Sequence, residues 1–315
     1  MLHETDPPYG REVIVRIGLA PALGTAPDGE RLAELARGLE RAEFDSLWVT
    51  ERATGPMGDP VVTLTYAAAL TRRIKFGTAV MALPGRPPAL LAKELATLDL
   101  LSGGRLLPAF GLGIRDPGEQ QAFGVRREER AAMFEEALPL LRRLWAEDEV
   151  THHGTYYHYD GLRLRPKPGK RGFDVWMGGS SDAELRRTGR LSDGWLASLT
   201  TPAEADRGRR LVQEAAAGAG REIEEEHFGA VVSYRRGPLT PEAERRFARV
   251  RRVLGPAPPD EVIPSLENLE THLKRLMEAG LSKFVLVPPG PPDDWARELA
   301  ELRDAVLHLQ TRRNT

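Results

Sequence analysis

Cysteine is absent from this sequence of 315 residues. Its absence excludes disulfide bonds, thiolate nucleophiles and cysteine-ligated metals, so any redox chemistry would need a bound cofactor. Long apolar runs are lacking too: no stretch approaches the length that spans a bilayer, and the N-terminal segment has no charged start followed by the apolar core of a secretory signal. We therefore expect a cytoplasmic protein that does not bind membranes.

A strong net charge is also lacking. Lys and Arg total 44 against 46 Asp and Glu, so the net charge of -2 offers no broad field for nucleic acid. No GxSxG nucleophile elbow occurs, which disfavours nucleophilic hydrolysis. His152, His153 and His158 lie in one short segment without a nearby carboxylate triad, so packing in an edge strand is preferred over a metal site.

Short apolar runs alternate with amphipathic segments along the whole chain. The runs are nearly all apolar, as in a parallel sheet that is covered on both faces. Eight strand–helix units can be counted, which predicts an α/β protein with a (β/α)8 TIM barrel as one domain over residues 1–315. Two ordinary domains remain an alternative at this length. A doubly wound open sheet would have fewer units and a GxGxxG turn after its first strand, which is absent.

Two segments interrupt this alternation. Residues 150–172 predict a hairpin inserted after the fourth helix, with a Pro-rich exit. Residues 235–261, after the seventh strand, are strongly basic and are bounded by Pro and Gly, which indicates an insertion over one mouth of the barrel. The basic run 245–252 could bind an anion, although a solvated amphipathic helix is the more common use of such a pattern.

A cluster of small polar residues follows the fifth predicted strand. The strand ends in Gly178-Gly179-Ser180-Ser181 and passes directly into a helix, so backbone N–H groups and hydroxyls point at one spot near the positive end of the helix. This arrangement predicts an anion site, most plausibly for a phosphate. The alternative is a simple turn in which Ser181 caps the helix.

Small residues also end the third and fourth predicted strands. The third narrows to Gly77-Thr78-Ala79, and the fourth ends in Gly111-Leu112-Gly113. In a barrel these ends share one mouth, so their small size predicts a flat space for an aromatic ring system laid against the backbone. Tight packing of helices is the alternative for each position taken alone. Arg86 and Arg115, in the loops that follow, are placed to contact such a ligand.

Several segments together resemble the bacterial luciferase-like monooxygenase superfamily. They occur in that family's order and are FDSLWVTER, RRIKFGTAV, LLAKELATLDLLSGGRLLPAFGLG, DVWMGGSS and GRLSDGWLAS. The resemblance covers residues 13–290, with LDLLSGGR and WMGGSS as its most specific parts. Within the superfamily the sequence is most similar to the branch of oxidoreductases that depend on the deazaflavin coenzyme F420, in which HYDGLRLRPKP also has a counterpart.

The resemblance implies a set of cofactor contacts. A non-prolyl cis peptide that backs the ring would fall at Ala79-Val80, beside the hydroxyl of Thr78. The loop that borders the ring would contribute Gly111, Gly113 and Ile114. The segment after the fifth predicted strand would hold the phosphate with Gly178, Gly179, Ser180 and Ser181, and Gly194 and Trp195 would adjoin it.

The catalytic positions depart from the family's pattern. Related deazaflavin enzymes often have an acidic residue followed by His after the second strand, where this chain has Glu51-Arg52. Glu51 could hydrogen-bond the ring or a substrate proton, and Arg52 could pair with a carboxylate or with Glu51 itself. An acid after the fourth strand donates a proton in some relatives. Asp116 is its nearest match here, with a surface turn before a proline as the alternative.

The resemblance implies an oxidoreductase that transfers a hydride between coenzyme F420 and a small organic substrate. Two alternatives stay open: an FMN-dependent monooxygenase, and a flavin-binding protein without turnover, which the missing imidazole at Arg52 favours. The family also implies a homodimer that forms through helices 2 and 3, where residues 61–70 and 90–101 are apolar enough for an interface.

Overall fold

Strands and helices alternate along the chain, of which the computed structural model describes residues 14–169 and 172–311. The strands are β1 (Arg16–Leu19), β2 (Ser46–Val49), β3 (Lys75–Thr78), β4 (Met81–Ala82), β5 (Leu106–Leu107), β6 (Ala109–Gly111), β7 (Val150–His153), β8 (His158–Leu162), β9 (Trp176–Gly178), β10 (Gly194–Ser198), β11 (Phe228–Ser233) and β12 (Lys283–Val287). The helices are α1 (Gly29–Arg41), α2 (Pro60–Ala69), α3 (Pro88–Ser102), α4 (Pro117–Phe123), α5 (Arg130–Ala146), α6 (Asp182–Leu191), α7 (Pro202–Gly218), α8 (Pro241–Leu254), α9 (Leu269–Glu278) and α10 (Trp295–Val306).

One curled sheet contains all these strands except β7 and β8. Its order is β4-β6-β9-β10-β11-β12-β1-β2-β3-β5, and the neighbouring strands in it pair in parallel. Strands β2 and β12 are buried along their whole length, as expected of a parallel sheet that is covered on both faces. The predicted α/β class is confirmed.

Two strands that the sequence predicted as continuous are each broken near their carboxyl ends. The Ala79-Val80 peptide separates β3 from β4, and it is cis, as the sequence predicted. Pro108 separates β5 from β6 because it has no N–H to give to the strand ladder. Thr78 spans this break: its hydroxyl donates to the carbonyl of Ala109 at 2.7 Å and accepts from the N–H of Ala109 at 2.8 Å.

The core has two parts. A large cluster contains most of the buried apolar side chains of the sheet and helices. A smaller cluster contains Trp48 and Trp176 together with apolar side chains from other strands of the sheet. Both tryptophans are buried. The indole N–H of Trp48 donates to the hydroxyl of Ser46 at 2.8 Å, so its polar atom is satisfied within the strand.

The predicted hairpin is present as the antiparallel pair of β7 and β8, which lies between α5 and β9. Residues 170 and 171 of the segment predicted to contain it lie outside the described residues. Its histidines contact acids singly: Nε2 of His152 lies 3.1 Å from Oε1 of Glu136, and Nε2 of His153 lies 3.1 Å from Oδ1 of Asp160. Over residues 14–169 and 172–311, no group of three or more His, Cys, Asp or Glu side chains is placed to hold a metal ion.

Large apolar side chains are exposed on α2 and α3. Val62 is 70% exposed, Leu90 60% and Leu101 69%. These are the helices at which the sequence predicted an interface, and the homodimer stays a prediction. Within the described residues, no helix combines the length and the apolar character needed to cross a bilayer.

Candidate functional site

A cavity of about 330 Å³ opens at the carboxyl ends of the strands. Its wall includes the segments after β2, β3, β6, β9 and β10, which the sequence predicted to share one mouth. The predicted site residues that line it are Glu51, Arg52, Ala79, Val80, Gly111, Gly113, Ile114, Gly178 and Gly179. The structure therefore brings together residues that are up to about 130 positions apart in the chain.

The floor of the cavity is built around Val80. A Cβ added to Gly111 would lie 2.7 Å from Cγ2 of Val80, and one added to Gly178 would lie 3.1 Å from its Cγ1. A Cβ at Gly111 would clash with the valine, and one at Gly178 would require the valine to shift slightly, so the two glycines leave room for it. The cis peptide is held on both sides, because the N–H of Ala79 donates to the carbonyl of Val49 at 2.8 Å and the hydroxyl of Thr50 donates to the carbonyl of Ala79 at 3.0 Å.

Thr78 lies behind this floor. It is 1% exposed, and both of its hydroxyl hydrogen bonds go to the backbone of Ala109. Its position therefore supports the strand break next to the cavity, and its role as a direct cofactor contact stays a prediction.

Glu51 forms a buried ion pair in the cavity wall. Its Oε1 accepts from Nη2 of Arg86, and its Oε2 accepts from the N–H of Ala82 at 2.7 Å. Nε of Arg86 donates to the carbonyl of the same Ala82 at 3.0 Å, so the pair holds both sides of that residue. Burial raises the pKa of Glu51, and the charge of Arg86 and the N–H of Ala82 only partly oppose it.

Arg86 rather than Arg52 is thus the partner of Glu51. Arg52 also lines the cavity, next to the loop whose backbone is bound by Glu119. The carboxylate of Glu119 accepts from the N–H of Ala53 at 3.2 Å, from the N–H of Thr54 at 2.9 Å and from the hydroxyl of Thr54 at 2.7 Å. Burial favours a higher pKa for Glu119, but the bonds from Thr54 and Ala53 lower it.

Asp116 has a structural position at the start of α4. Its Oδ1 accepts from the N–H of Gly118 at 2.9 Å and from the N–H of Glu119 at 3.1 Å, which makes it the helix N-cap. The acid of this segment that reaches the cavity wall is Glu119. Sequence reasoning missed Glu119, although its place three residues after Asp116 is a recognisable cap spacing. Proton donation by Asp116 stays a prediction.

The loop after β9 already binds a carboxylate of the chain. Oε2 of Glu184 accepts from the N–H of Ser180 at 3.1 Å, from the N–H of Ser181 at 3.0 Å and from the hydroxyl of Ser181 at 2.9 Å. Ser181 and Glu184 form a capping box at the start of α6. Burial favours a higher pKa for Glu184, but the N–H groups of Ser181 and Ser180 lower it.

The donors that the sequence predicted for a phosphate are therefore engaged by Glu184. The sequence contains the pattern that predicts this contact, because Ser181-x-x-Glu184 is a capping box. Trp195 adjoins this loop, whereas Gly194 pairs with Trp176 at the amino ends of β10 and β9, and a cofactor contact of either residue stays a prediction. The indole N–H of Trp195 donates to the carbonyl of Gly179 at 3.0 Å, and Gly194 packs on the ring of Trp176.

Arg130 is a further residue that sequence reasoning missed. It is 9% exposed, and its Nη1 donates to the carbonyls of Gly113 and Ile114, each at 3.0 Å. The guanidinium thus fixes the loop after β6 where that loop borders the cavity. Burial, together with the charges of Arg127 and Arg115, lowers the pKa of Arg130, while the charge of Glu184 acts in the opposite direction.

The sequence is similar to those of several curated proteins. Among curated relatives, 5,10-methylenetetrahydromethanopterin reductase from Methanolobus tindarius is 29% identical over 207 residues, which are 65% of this chain and 61% of the relative. The chain spans about half the length of the first curated relatives it matches.

Solved structures share the fold. An F420-dependent secondary alcohol dehydrogenase in complex with an F420–acetone adduct matches with a TM-score of 0.79 and 20% identity over 95% of this chain and 100% of that one. The oxygenating constituent of 3,6-diketocamphane monooxygenase from Pseudomonas putida, in complex with FMN, matches with a TM-score of 0.77 and 18% identity over 95% and 100%. The family model for luciferase-like monooxygenases matches residues 12–308, and the chain belongs to that family.

Proposed function

We propose that this protein is an oxidoreductase that binds coenzyme F420 in the 330 Å³ cavity and transfers a hydride between it and a small organic substrate. The observation that carries the proposal is the platform of Val80, which lies between two glycine strand ends at the bottom of an open cavity. A flat apolar surface of this kind suits a planar ring. The name of the F420-dependent secondary alcohol dehydrogenase supports F420 as the ring's source.

The residues present fit the ring better than they fit its phosphate. Ala79, Val80, Gly111, Gly113 and Ile114 would hold the ring against backbone. The glycines and serines of the loop after β9, Gly178, Gly179, Ser180 and Ser181, would hold the phosphate once Glu184 has left its present partners, with Gly194 and Trp195 behind them. When bound, the deazaflavin supplies the carbon that accepts or gives up the hydride.

The chain itself would position the substrate and hold a proton. We propose Glu51 as the acid. Burial raises its pKa, so this carboxyl group keeps its proton to a higher pH than an exposed glutamate does. Arg52 lines the wall, where it would bind a polar group of the substrate. Asp116 is the second candidate for the proton donor. A bound ring and substrate would displace water from this site, which would strengthen each of these contacts.

The FMN-dependent monooxygenase is the second candidate function. It is favoured by the FMN complex that shares the fold over 95% of this chain. Both ligands have a tricyclic ring and a phosphate, so the platform of Val80 serves either. The third possibility, a flavin-binding protein without turnover, is consistent with the absence of an imidazole at Arg52.

A titration of the purified protein with F420 and with FMN, followed by fluorescence quenching, distinguishes these functions. We expect F420 to bind at least about tenfold more tightly, a difference of about 1.4 kcal/mol. A preference for FMN would replace the leading proposal with the monooxygenase. Tight binding of F420 without turnover over a broad panel of alcohols, aldehydes and imines would favour the protein without catalytic activity.

We also propose a closed (β/α)8 barrel as a single domain over residues 1–315. Its support is the pairing of β3 with β5 and of β4 with β6, because counting each broken strand once leaves eight strands, each with two neighbours. A homodimer through α2 and α3 would cover Val62, Leu90 and Leu101. A monomeric mass in solution at micromolar concentration would contradict that dimer.

A further inference from the structure

The loop after β9 presents three donors to one acceptor. The N–H groups of Ser180 and Ser181 and the hydroxyl of Ser181 all point at Oε2 of Glu184, at distances of 2.9 to 3.1 Å. A phosphate oxygen at the start of a helix would use the same kind of donors. The carboxylate therefore occupies the position in which the cofactor's phosphate is expected.

The surroundings of Glu184 also favour an anion. Its side chain packs on the backbone of Gly179, where an added Cβ would lie 2.7 Å from Cβ of Glu184, and it lines the cavity. Arg130 and Arg187 both act on it electrostatically. Arg187 has a carboxylate of its own, since its Nε donates to Glu135 at 2.8 Å. The carboxylate of Glu184 therefore already supplies the negative charge that the loop after β9 favours.

The next helix provides an internal comparison. Thr201 and Glu204 form the same capping box at the start of α7, but the carboxylate of Glu204 also pairs with the buried Arg251 at 2.6 Å. Within the described residues Glu184 has a capping role and no ion pair within 4 Å, so no charged partner holds it in place as Arg251 holds Glu204. The two glutamates differ in how readily they can leave their donors.

We propose that Glu184 competes with the cofactor's phosphate for the N–H groups of Ser180 and Ser181, and so sets how strongly the protein distinguishes ligands with a phosphate from ligands without one. This inference rests on the proposed function, because it assumes that a ring binds on the platform of Val80. A dianion must displace the carboxylate or remain close to it, and either event lowers the affinity that the phosphate adds.

The test uses ligand pairs that differ only in the phosphate. Riboflavin and FMN form one pair, and deazariboflavin and its 5′-phosphate form the other. Dissociation constants are measured by fluorescence for the native protein and for Glu184→Gln, Glu184→Ala and Glu204→Gln. Gln keeps the capping box through its amide oxygen, so it preserves the helix start, while Ala removes the competitor altogether.

In the native protein we expect each phosphorylated ligand to bind no more than about threefold more tightly than its partner. Glu184→Gln should raise that ratio about tenfold, because a neutral amide neither repels the phosphate nor holds the N–H groups as strongly as a carboxylate does. Glu184→Ala should raise it at least as much, because the donors become free for the phosphate. The matched control Glu204→Gln should leave the ratio unchanged. These results would support the competition.

Two outcomes would contradict the inference in distinguishable ways. If the unphosphorylated ligands bind and Glu184→Gln and Glu184→Ala both leave the ratio unchanged, the phosphate does not use these donors and only the role of Glu184 is wrong. If none of the four ligands binds to the native protein or to any variant, the cofactor proposal fails and the inference fails with it.

Discussion

The cavity has two walls that each present a carboxylate, and the two carboxylates are in opposite electrostatic states. Glu51, after β2, has a cation beside it in Arg86, yet its pKa is raised. Glu184, at the start of α6, has no cation within salt-bridge distance among the described residues, yet its pKa is lowered. The number of donors and the degree of burial therefore decide the state of each acid, and the presence of one partner charge does not.

This difference separates two uses of an acid in one cavity. Glu51 accepts one backbone N–H and is 6% exposed in its side chain, so the loss of hydration dominates and the group can hold a proton. Glu184 accepts two N–H groups and a hydroxyl, so it stays an anion. In the proposed function the first wall would transfer a proton, and the second would bind or exclude negative charge.

Removing the cation of the first wall should have the largest effect. Arg86→Met would leave Glu51 buried with the N–H of Ala82 as its remaining donor. Because an uncompensated charge is costly in such a place, we expect the free energy of unfolding to fall by about 3 kcal/mol at pH 7. Equilibrium unfolding in urea measures this change.

The double variant Glu51→Gln/Arg86→Met is the control for that experiment. Neutral Gln can still accept from Ala82 and carries no charge that burial would penalise, so the double variant should recover most of the lost stability. If the double variant is as unstable as Arg86→Met, the loss comes from packing of Arg86, for example on the ring of Phe123, and not from the stranded charge.

The two walls were not equally predictable from sequence. The glycine strand ends follow from local patterns, and the cis peptide at Ala79-Val80, which the family resemblance implied, is confirmed by the structure. The pairing of Glu51 with Arg86 depends on a loop 35 residues further along the chain, and no local spacing encodes it. The Ser181-x-x-Glu184 pattern was readable, but it competes with a phosphate site for the same donors, and one sequence permits both.

Asp116 and Glu119 show the same limit at smaller scale. Both follow the glycines of the fourth strand end, and sequence distance favours Asp116. The start of α4 decides between them, because the cap turns Asp116 to the helix N–H groups and places Glu119 one turn later against the loop of Ala53 and Thr54. The direction of a side chain at a helix start is set by three-dimensional contacts that spacing alone does not fix.

The floor between the walls offers the second prediction. Gly111→Ala would place a Cβ 2.7 Å from Cγ2 of Val80, so the valine must move toward the space proposed for the ring. We expect stability to fall by about 2 kcal/mol and the affinity for an unphosphorylated flavin or deazaflavin to fall about tenfold, with both carboxylates in place. Fluorescence titration and urea unfolding measure the two effects. Val80→Ala in the same background should restore stability; no recovery would mean that the clash lies elsewhere.

Opposite pH dependences would test the comparison of the walls directly. Ionised Glu51 costs stability, so the native protein should lose stability relative to Glu51→Gln as pH rises above the ordinary value of 4.5 and through the raised pKa. Ionised Glu184 adds stability that is present above 4.5, so the advantage of the native protein over Glu184→Gln should vanish as pH falls through the lowered pKa.

Each change should be about 1 kcal/mol, the scale of one cap or one hydrogen bond. Unfolding in urea at several pH values provides the measurement. If the stability difference between the native protein and Glu51→Gln does not change with pH above 4.5, Arg86 cancels the effect of burial on the pKa of Glu51. If the stability differences between the native protein and the two variants change with pH in the same direction, the two carboxylates are not in opposite electrostatic states.

The smallest effect is expected at Asp116. Asn caps a helix as well as Asp does, so Asp116→Asn should keep the bonds to Gly118 and Glu119 and change stability by no more than about 0.5 kcal/mol. If Glu51 is the acid, turnover with coenzyme F420 should change less than about twofold in Asp116→Asn and fall at least about tenfold in Glu51→Gln, mainly in kcat. A large loss of kcat in Asp116→Asn, with its stability intact, would move the proton donor from the wall of Glu51 to the start of α4, because only a group that exchanges a proton would respond to the loss of its acidic oxygen while its cap remains.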